Sequence, residues 1–113
     1  MTCSRKFWEW VAAQRQPPVA DPRARVGREA FFSTSCVNCH TINGTQARGT
    51  FGPDLTHLMS RDTLAAGAAP NTPEMLKAWI RDPQTLKEGC LMPDMQLVDT
   101  ELDHLVTYLS SLK

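Results

Sequence analysis

Apolar residues along this chain recur with the period of a helix, most clearly near its end. Leu102, Leu105, Val106, Leu109 and Leu112 stand three or four apart and so share one helical face. Thr100 followed by Asp103 has capping-box spacing and marks where that helix should begin. In "EMLKAWIRD", Leu76, Trp79 and Ile80 repeat the pattern, with Thr72-Pro73 opening the helix and Pro83 stopping it. A further helix starts from Asp21 as N-cap with Pro22 in the first helical position, and carries Val26, Ala30 and Phe31 along one side toward Cys36. The first begins after Ser4, runs through "RKFWEWVAAQ" and ends before Pro17-Pro18, which remove two backbone donors and force an extended linker. No alternation with period two is long enough for a strand. The pattern predicts an all-α chain of about four to five helices.

Two long connections, "NGTQARGTFGPDL" and "KEGCLMPDMQLVD", are rich in Gly, Pro and Asn. Long loops in so small a domain usually wrap around something. With 113 residues, one compact core is expected. The net charge of zero gives no reason to expect nucleic acid as partner. Charge is nevertheless uneven: residues 1–28 carry six basic and two acidic side chains, and residues 82–113 carry two basic and six acidic. No stretch approaches the ~20 apolar residues that cross a bilayer. The basic N-terminus is not a secretory signal either, because Glu9 interrupts its apolar part and no cleavage pattern follows.

The chemistry concentrates in "CVNCH", where Cys36, Cys39 and His40 fall within five residues. Zinc needs four ligands, and the other candidates, Cys3, Cys90, His57 and His104, are scattered. A redox dithiol wants a βαβ setting that this chain does not offer. The C-x-x-C-H form instead points to haem c, with both thiols adding to the vinyl groups as thioethers and the next residue beside the iron. A carbonyl in "TFGPDL", around Gly52-Pro53, is placed to take the Nδ1 proton of His40 and leave Nε2 to the metal. In "EGCLMPDM", Met92 and Met95 compete as a thioether sixth ligand; Met92, directly before Pro93, is the choice, and thioether sulfur raises the haem potential. Met59 and Met75 are packing residues, and His57 and His104 surface histidines. Phe51, Leu55, Leu58, Leu64, Leu76, Ile80 and Leu91 offer apolar cover for a haem face, while Trp79, with Arg61 or Arg81, offers donors for its propionates.

Together these residues resemble a class I cytochrome c domain over residues 24–113. "GREAFFSTSCVNCH" is similar to that family's N-terminal helix, with Gly27 and Phe31 at G-x-x-x-F positions, and "ELDHLVTYLSSL" is similar to its C-terminal helix. The resemblance implies that Leu105 and Tyr108 cross against Gly27 and Phe31. It also implies one haem c held by Cys36 and Cys39, with His40 and Met92 on the iron and Pro53 and Trp79 lining the pocket. More narrowly, "CHTINGTQARGTFGPDLTHLMSR" and "NTPEMLKAWIRDP" resemble the cytochrome c domain fused to subunit II of caa-type haem-copper oxidases. "FWEWVAAQRQPP" looks like the end of that subunit's copper domain, which divides the chain into residues 1–20 and 21–113. What the resemblance implies is an electron relay from a small periplasmic donor protein to a binuclear copper centre, at the outer face of a bacterial cytoplasmic membrane. The chain itself lacks the copper ligands and a signal, as an excised domain would. A free diffusible carrier, or a haem enzyme or sensor with open iron, are the rival expectations. Cys90 stands where a small polar residue is usual, and with Cys3 it leaves two thiols unassigned.

Overall fold

A computed structural model describes residues 2–18 and 21–113, with side chains from residue 4 onward apart from residues 19 and 20. In chain order the elements are α1 (Thr2–Gln14), a 3-10 turn at Pro22–Ala24, α2 (Arg25–Ser33) and α3 (Cys36–Cys39). A second 3-10 turn at Leu58–Ser60 precedes β1 (Thr63–Leu64) and β2 (Ala69–Pro70), followed by α4 (Pro73–Arg81), α5 (Pro83–Leu86) and α6 (Asp99–Leu109). Six α-helices therefore lie among the described residues, against the four to five expected, because α3 and α5 are single turns too short to show a periodicity.

Local chemistry explains most of the boundaries. The Asp21 carboxylate accepts the Arg23 N–H at 3.0 Å, as an N-cap should, although the first turn it opens is 3-10 before α2 takes over. The Thr72 hydroxyl accepts the Met75 N–H at 3.2 Å, Pro73 holds the first helical position, and Glu74 and Arg81 complement the dipole of α4. Pro83 does more than stop α4. Asp82 ends that helix and caps the next, accepting the Gln84 N–H at 3.2 Å, so Pro83 becomes the first residue of α5. The proposed Thr100 capping box does not form: α6 already begins at Asp99, preceded by Val98 with no side-chain cap. Asp99 and Glu101 in its first turn supply the negative charge that the helix N-terminus favours.

The core is the crossing of α2 and α6. Gly27 is buried there, and a Cβ on it would lie 1.8 Å from the His104 carbonyl oxygen, so the backbones touch only because the side chain is missing. One turn on, the Phe31 ring, 1% exposed, sits 5.9 Å from the ring of Tyr108. Leu102, Leu105, Val106, Leu109 and Leu112 are all buried, the whole stripe read from the sequence. Val26 is the exception among the expected core residues. It is 53% exposed, because Gly27 and Phe31, four apart, claim the face of α2 that meets α6 and turn Val26 to solvent. Beyond α6, the Leu112 carbonyl accepts the Met59 N–H at 2.8 Å and fastens the chain's end to the middle loop. The short hairpin pairs Thr63 with Pro70 and Leu64 with Ala69, two residues a side and hence invisible to a period-two search.

Candidate functional site

Cys36 and Cys39 are three residues apart on the single turn of α3, a spacing that puts both thiols on one side of a helix. Both are free and half-buried. The Cys36 Sγ lies 3.0 Å from the Thr34 Oγ1, and burial pushes this thiol above its ordinary pKa. At His40 the backbone turns extended, φ −115° and ψ 148°, which carries the imidazole off the helix. Its Nδ1 is 2.8 Å from the Pro53 carbonyl oxygen. A carbonyl only accepts, so Nδ1 holds the proton and Nε2 keeps the lone pair a metal needs. The opposing loop presses close: the Gly52 N–H donates to the Cys39 carbonyl at 2.6 Å, and a Cβ on Gly52 would lie 2.6 Å from the His40 Cε1. Cys36, Cys39, His40 and Pro53 are thus brought together by α3 and one loop.

Met92 comes from a different loop, half-buried and packed against the same core that Cys36 and Trp79 touch. Met95 differs from it: its Sδ accepts a hydrogen bond from the Ser35 hydroxyl at 3.5 Å. The Met92 loop is organised by Gln84, a residue the sequence did not single out. Its Nε2 donates to the Cys90 carbonyl at 2.8 Å and lies 3.2 Å from the Cys90 Sγ, while its Oε1 accepts the Gly89 N–H at 2.8 Å. Gly89 has φ +83°, the left-handed turn that starts the loop. Cys90 is a free, half-buried thiol with a structural neighbour; the side chain of Cys3 lies outside the described residues.

The remaining candidates are dispersed. Leu55, Leu58, Leu64, Leu76 and Ile80 are core, whereas Phe51 and Leu91, each one residue before a site position, are 71% and 78% exposed. Arg81 is paired with Asp99 at 2.7 Å, and the Arg61 guanidinium donates to the Asp54 carbonyl. Met59 and Met75 pack against the core as expected. His104 is exposed, but His57 is not a plain surface residue: its Nδ1 is 2.7 Å from the Lys113 main-chain oxygen and its Nε2 2.8 Å from the Gln16 carbonyl. It ties the linker after α1 to the end of the chain, a long-range contact that nothing local in "LTHLM" announces.

Helices α2 and α6 crossed at a glycine, with a C-x-x-C-H turn beside them, define the class of c-type haem domains. The chain belongs to the cytochrome c family, whose sequence model matches residues 24–113. Among curated proteins it is 38% identical over 106 residues to a cytochrome c oxidase subunit 2 of Alkalihalophilus pseudofirmus, a match covering 93% of this chain and 30% of that protein. It is 34% identical over 116 residues to the same subunit of Bacillus sp. strain PS3, covering 96% of this chain and 32% of that one. With that of Bacillus subtilis strain 168 it shares 33% over 117 residues, covering 97% and 33%. The chain spans about a third of the length of these relatives.

The family implies covalently bound haem c, and the residues present fit it. Two thiols stand on one helical turn, the adjoining imidazole has its proton directed away from Nε2, and the loop facing that ring carries a glycine where a side chain would collide with it. Among the described residues no helix is long and apolar enough to cross a membrane.

Proposed function

We propose that this chain is the haem-carrying domain of a cytochrome c oxidase subunit 2, relaying single electrons from a small periplasmic donor protein to the binuclear copper centre of the oxidase. One observation carries this. The family model begins at residue 24, yet a match over 97% of the chain has to take in most of residues 1–23 as well. The likeness to the oxidase subunit therefore extends through α1 and the Pro17-Pro18 linker, segments that a free carrier has no use for. In this reading residues 1–20 are the end of the copper domain and its linker, residues 21–113 the cytochrome domain, and the whole lies at the outer face of the bacterial cytoplasmic membrane.

Haem c supplies an iron that takes up and gives back one electron without substrate binding. Cys36 and Cys39 would attach it as thioethers. His40 through Nε2 and Met92 through its sulfur would hold the iron, leaving it closed to ligands from solution. Support for Met92 over Met95 comes from the sulfurs: that of Met95 is engaged by Ser35, whereas Met92 packs inward. The Pro53 carbonyl holds the imidazole in one tautomer and increases its donor strength. Trp79, half-buried against the core, would offer its indole N–H to a haem propionate. The domain is an electron carrier within an oxidoreductase and performs no chemistry on a substrate of its own.

Haem-stained denaturing gels of membrane and soluble fractions from the source organism, with an antibody to this domain, test the proposal. A band much larger than 12.6 kDa, confined to membranes, is expected. A soluble band near that mass would mean a diffusible carrier instead.

A further inference from the structure

We propose that Thr56, acting through Asp54, is a positioning residue for the His40 imidazole and thereby helps set the reduction potential; this rests on His40 being an iron ligand. Thr56 is a buried polar side chain, 2% exposed, and both its hydroxyl and its main-chain N–H are engaged. Its hydroxyl accepts the Asn43 N–H at 2.9 Å and donates to the Asp54 Oδ1 at 2.6 Å, and its own N–H donates to the same oxygen at 2.9 Å. Asn43 lies three residues after His40, and Asp54 directly follows Pro53, whose carbonyl accepts the His40 Nδ1 proton.

Besides the His40–Pro53 bond, three more bind the segment 39–43 to the loop 52–56: Gly52 N–H to the Cys39 carbonyl, Leu55 N–H to the Thr41 carbonyl at 2.8 Å, and Asn43 N–H to the Thr56 hydroxyl. The Pro53 carbonyl sits between the first and second of these. Pro53 and Asp54 are themselves exposed, so packing does not fix that carbonyl and the hydrogen bonds must. The Thr56 hydroxyl grips both segments, accepting from Asn43 in one and donating to Asp54 in the other. A carbonyl held on Nδ1–H gives the imidazole partial imidazolate character, which favours ferric iron. Loosening the loop therefore raises the potential.

The test uses the holoprotein with Thr56→Val, Thr56→Ser and Asp54→Ala, reading the midpoint potential and, by NMR, the solvent exchange of the His40 ring N–H. Thr56→Val and Asp54→Ala should raise the potential and speed that exchange about tenfold, the factor equivalent to about 1.4 kcal/mol. Thr56→Ser, which keeps the hydroxyl, should behave as wild type. Asp54 is exposed, so its variant decides the matter if Thr56→Val fails to fold. Lower thermal stability with potential and exchange unchanged would overturn the proposal and leave Thr56 a packing residue. A His40 ring resonance without paramagnetic shift in the wild type would remove His40 from the iron, and would do so before any variant is compared.

Discussion

At the scale of single residues, the haem site divides into positions chosen for what they donate and positions chosen for what they leave out. In the proposed reading, His40 and Met92 belong to the first group. Met92→Ala should give a high-spin or replaced-ligand haem with a lower potential, because a sulfur that favours ferrous iron is lost; an unchanged ferric spectrum would move the sixth ligand to Met95. Gly52 and Gly27 belong to the second group. At Gly52 the space is taken by the His40 ring, and at Gly27 by the backbone of α6. The signals for such positions differ in kind. C-x-x-C-H is contiguous, so its chemistry is evident from the residues alone, and Asp54-Leu55-Thr56 also has the form of a local turn. That the Thr56 hydroxyl reaches across to Asn43 depends on two loops meeting, which no local pattern records.

Between elements, the α2–α6 crossing is the joint on which the fold depends. Gly27→Ala drives a methyl group into the His104 carbonyl and forces the helices apart, a cost of about 3 kcal/mol, the upper end of ordinary overpacking. Urea unfolding of the holoprotein measures it, and a loss below about 1 kcal/mol would mean the crossing relaxes easily. The same joint sets a pH response. Tyr108 is buried beside Phe31, and desolvation raises its phenol pKa above the ordinary 10.0, with Arg28 opposing in part. The folded state thus holds this proton more tightly than the unfolded chain, so the contribution is intact below pH 10 and is lost as the pH rises through the raised value. Tyr108→Phe should flatten that alkaline decline. Because Tyr108 is the sole tyrosine, tyrosinate absorbance follows this one group, and ionisation at or below pH 10 would contradict the burial argument.

For the molecule as a whole, α1 stands apart from the haem domain's packing. Phe7, Trp8 and Trp10 are all exposed and pack on one another, Phe7 meeting Trp8 edge-on at 5.2 Å between ring centres and stacking on Trp10 at 6.4 Å. The linker behind them is attached, however: Gln16 bonds His57, and a Cβ on Gly44 would stand 2.9 Å from Pro17. Removing residues 1–14 should therefore leave the denaturant midpoint nearly unchanged. Removing residues 1–18 should cost about 1 kcal/mol, the worth of one hydrogen bond whose partner is left behind. Equal losses from the two truncations would place the stabilising contact in α1 rather than in the linker.

Helix type, the caps at Asp21 and Thr72, the apolar stripe of α6 and the haem-attachment motif were legible without coordinates, because each is produced by residues within a few positions of one another. Asp21 and Thr72 cap the helices they precede, and Leu102 through Leu112 are buried as their spacing requires. What escaped involves competition or distance. Val26 lost the core to Gly27 because α6 meets one face of α2 and not the next, and Pro83 began a helix because Asp82 could serve two at once. His57, Gln84 and Thr56 took their roles from partners up to 56 residues away, supplied by the fold. Backbone propensity and contiguous ligands act locally and are written in order along the chain. Which side chain reaches from one loop to another is settled by how the loops close on the core.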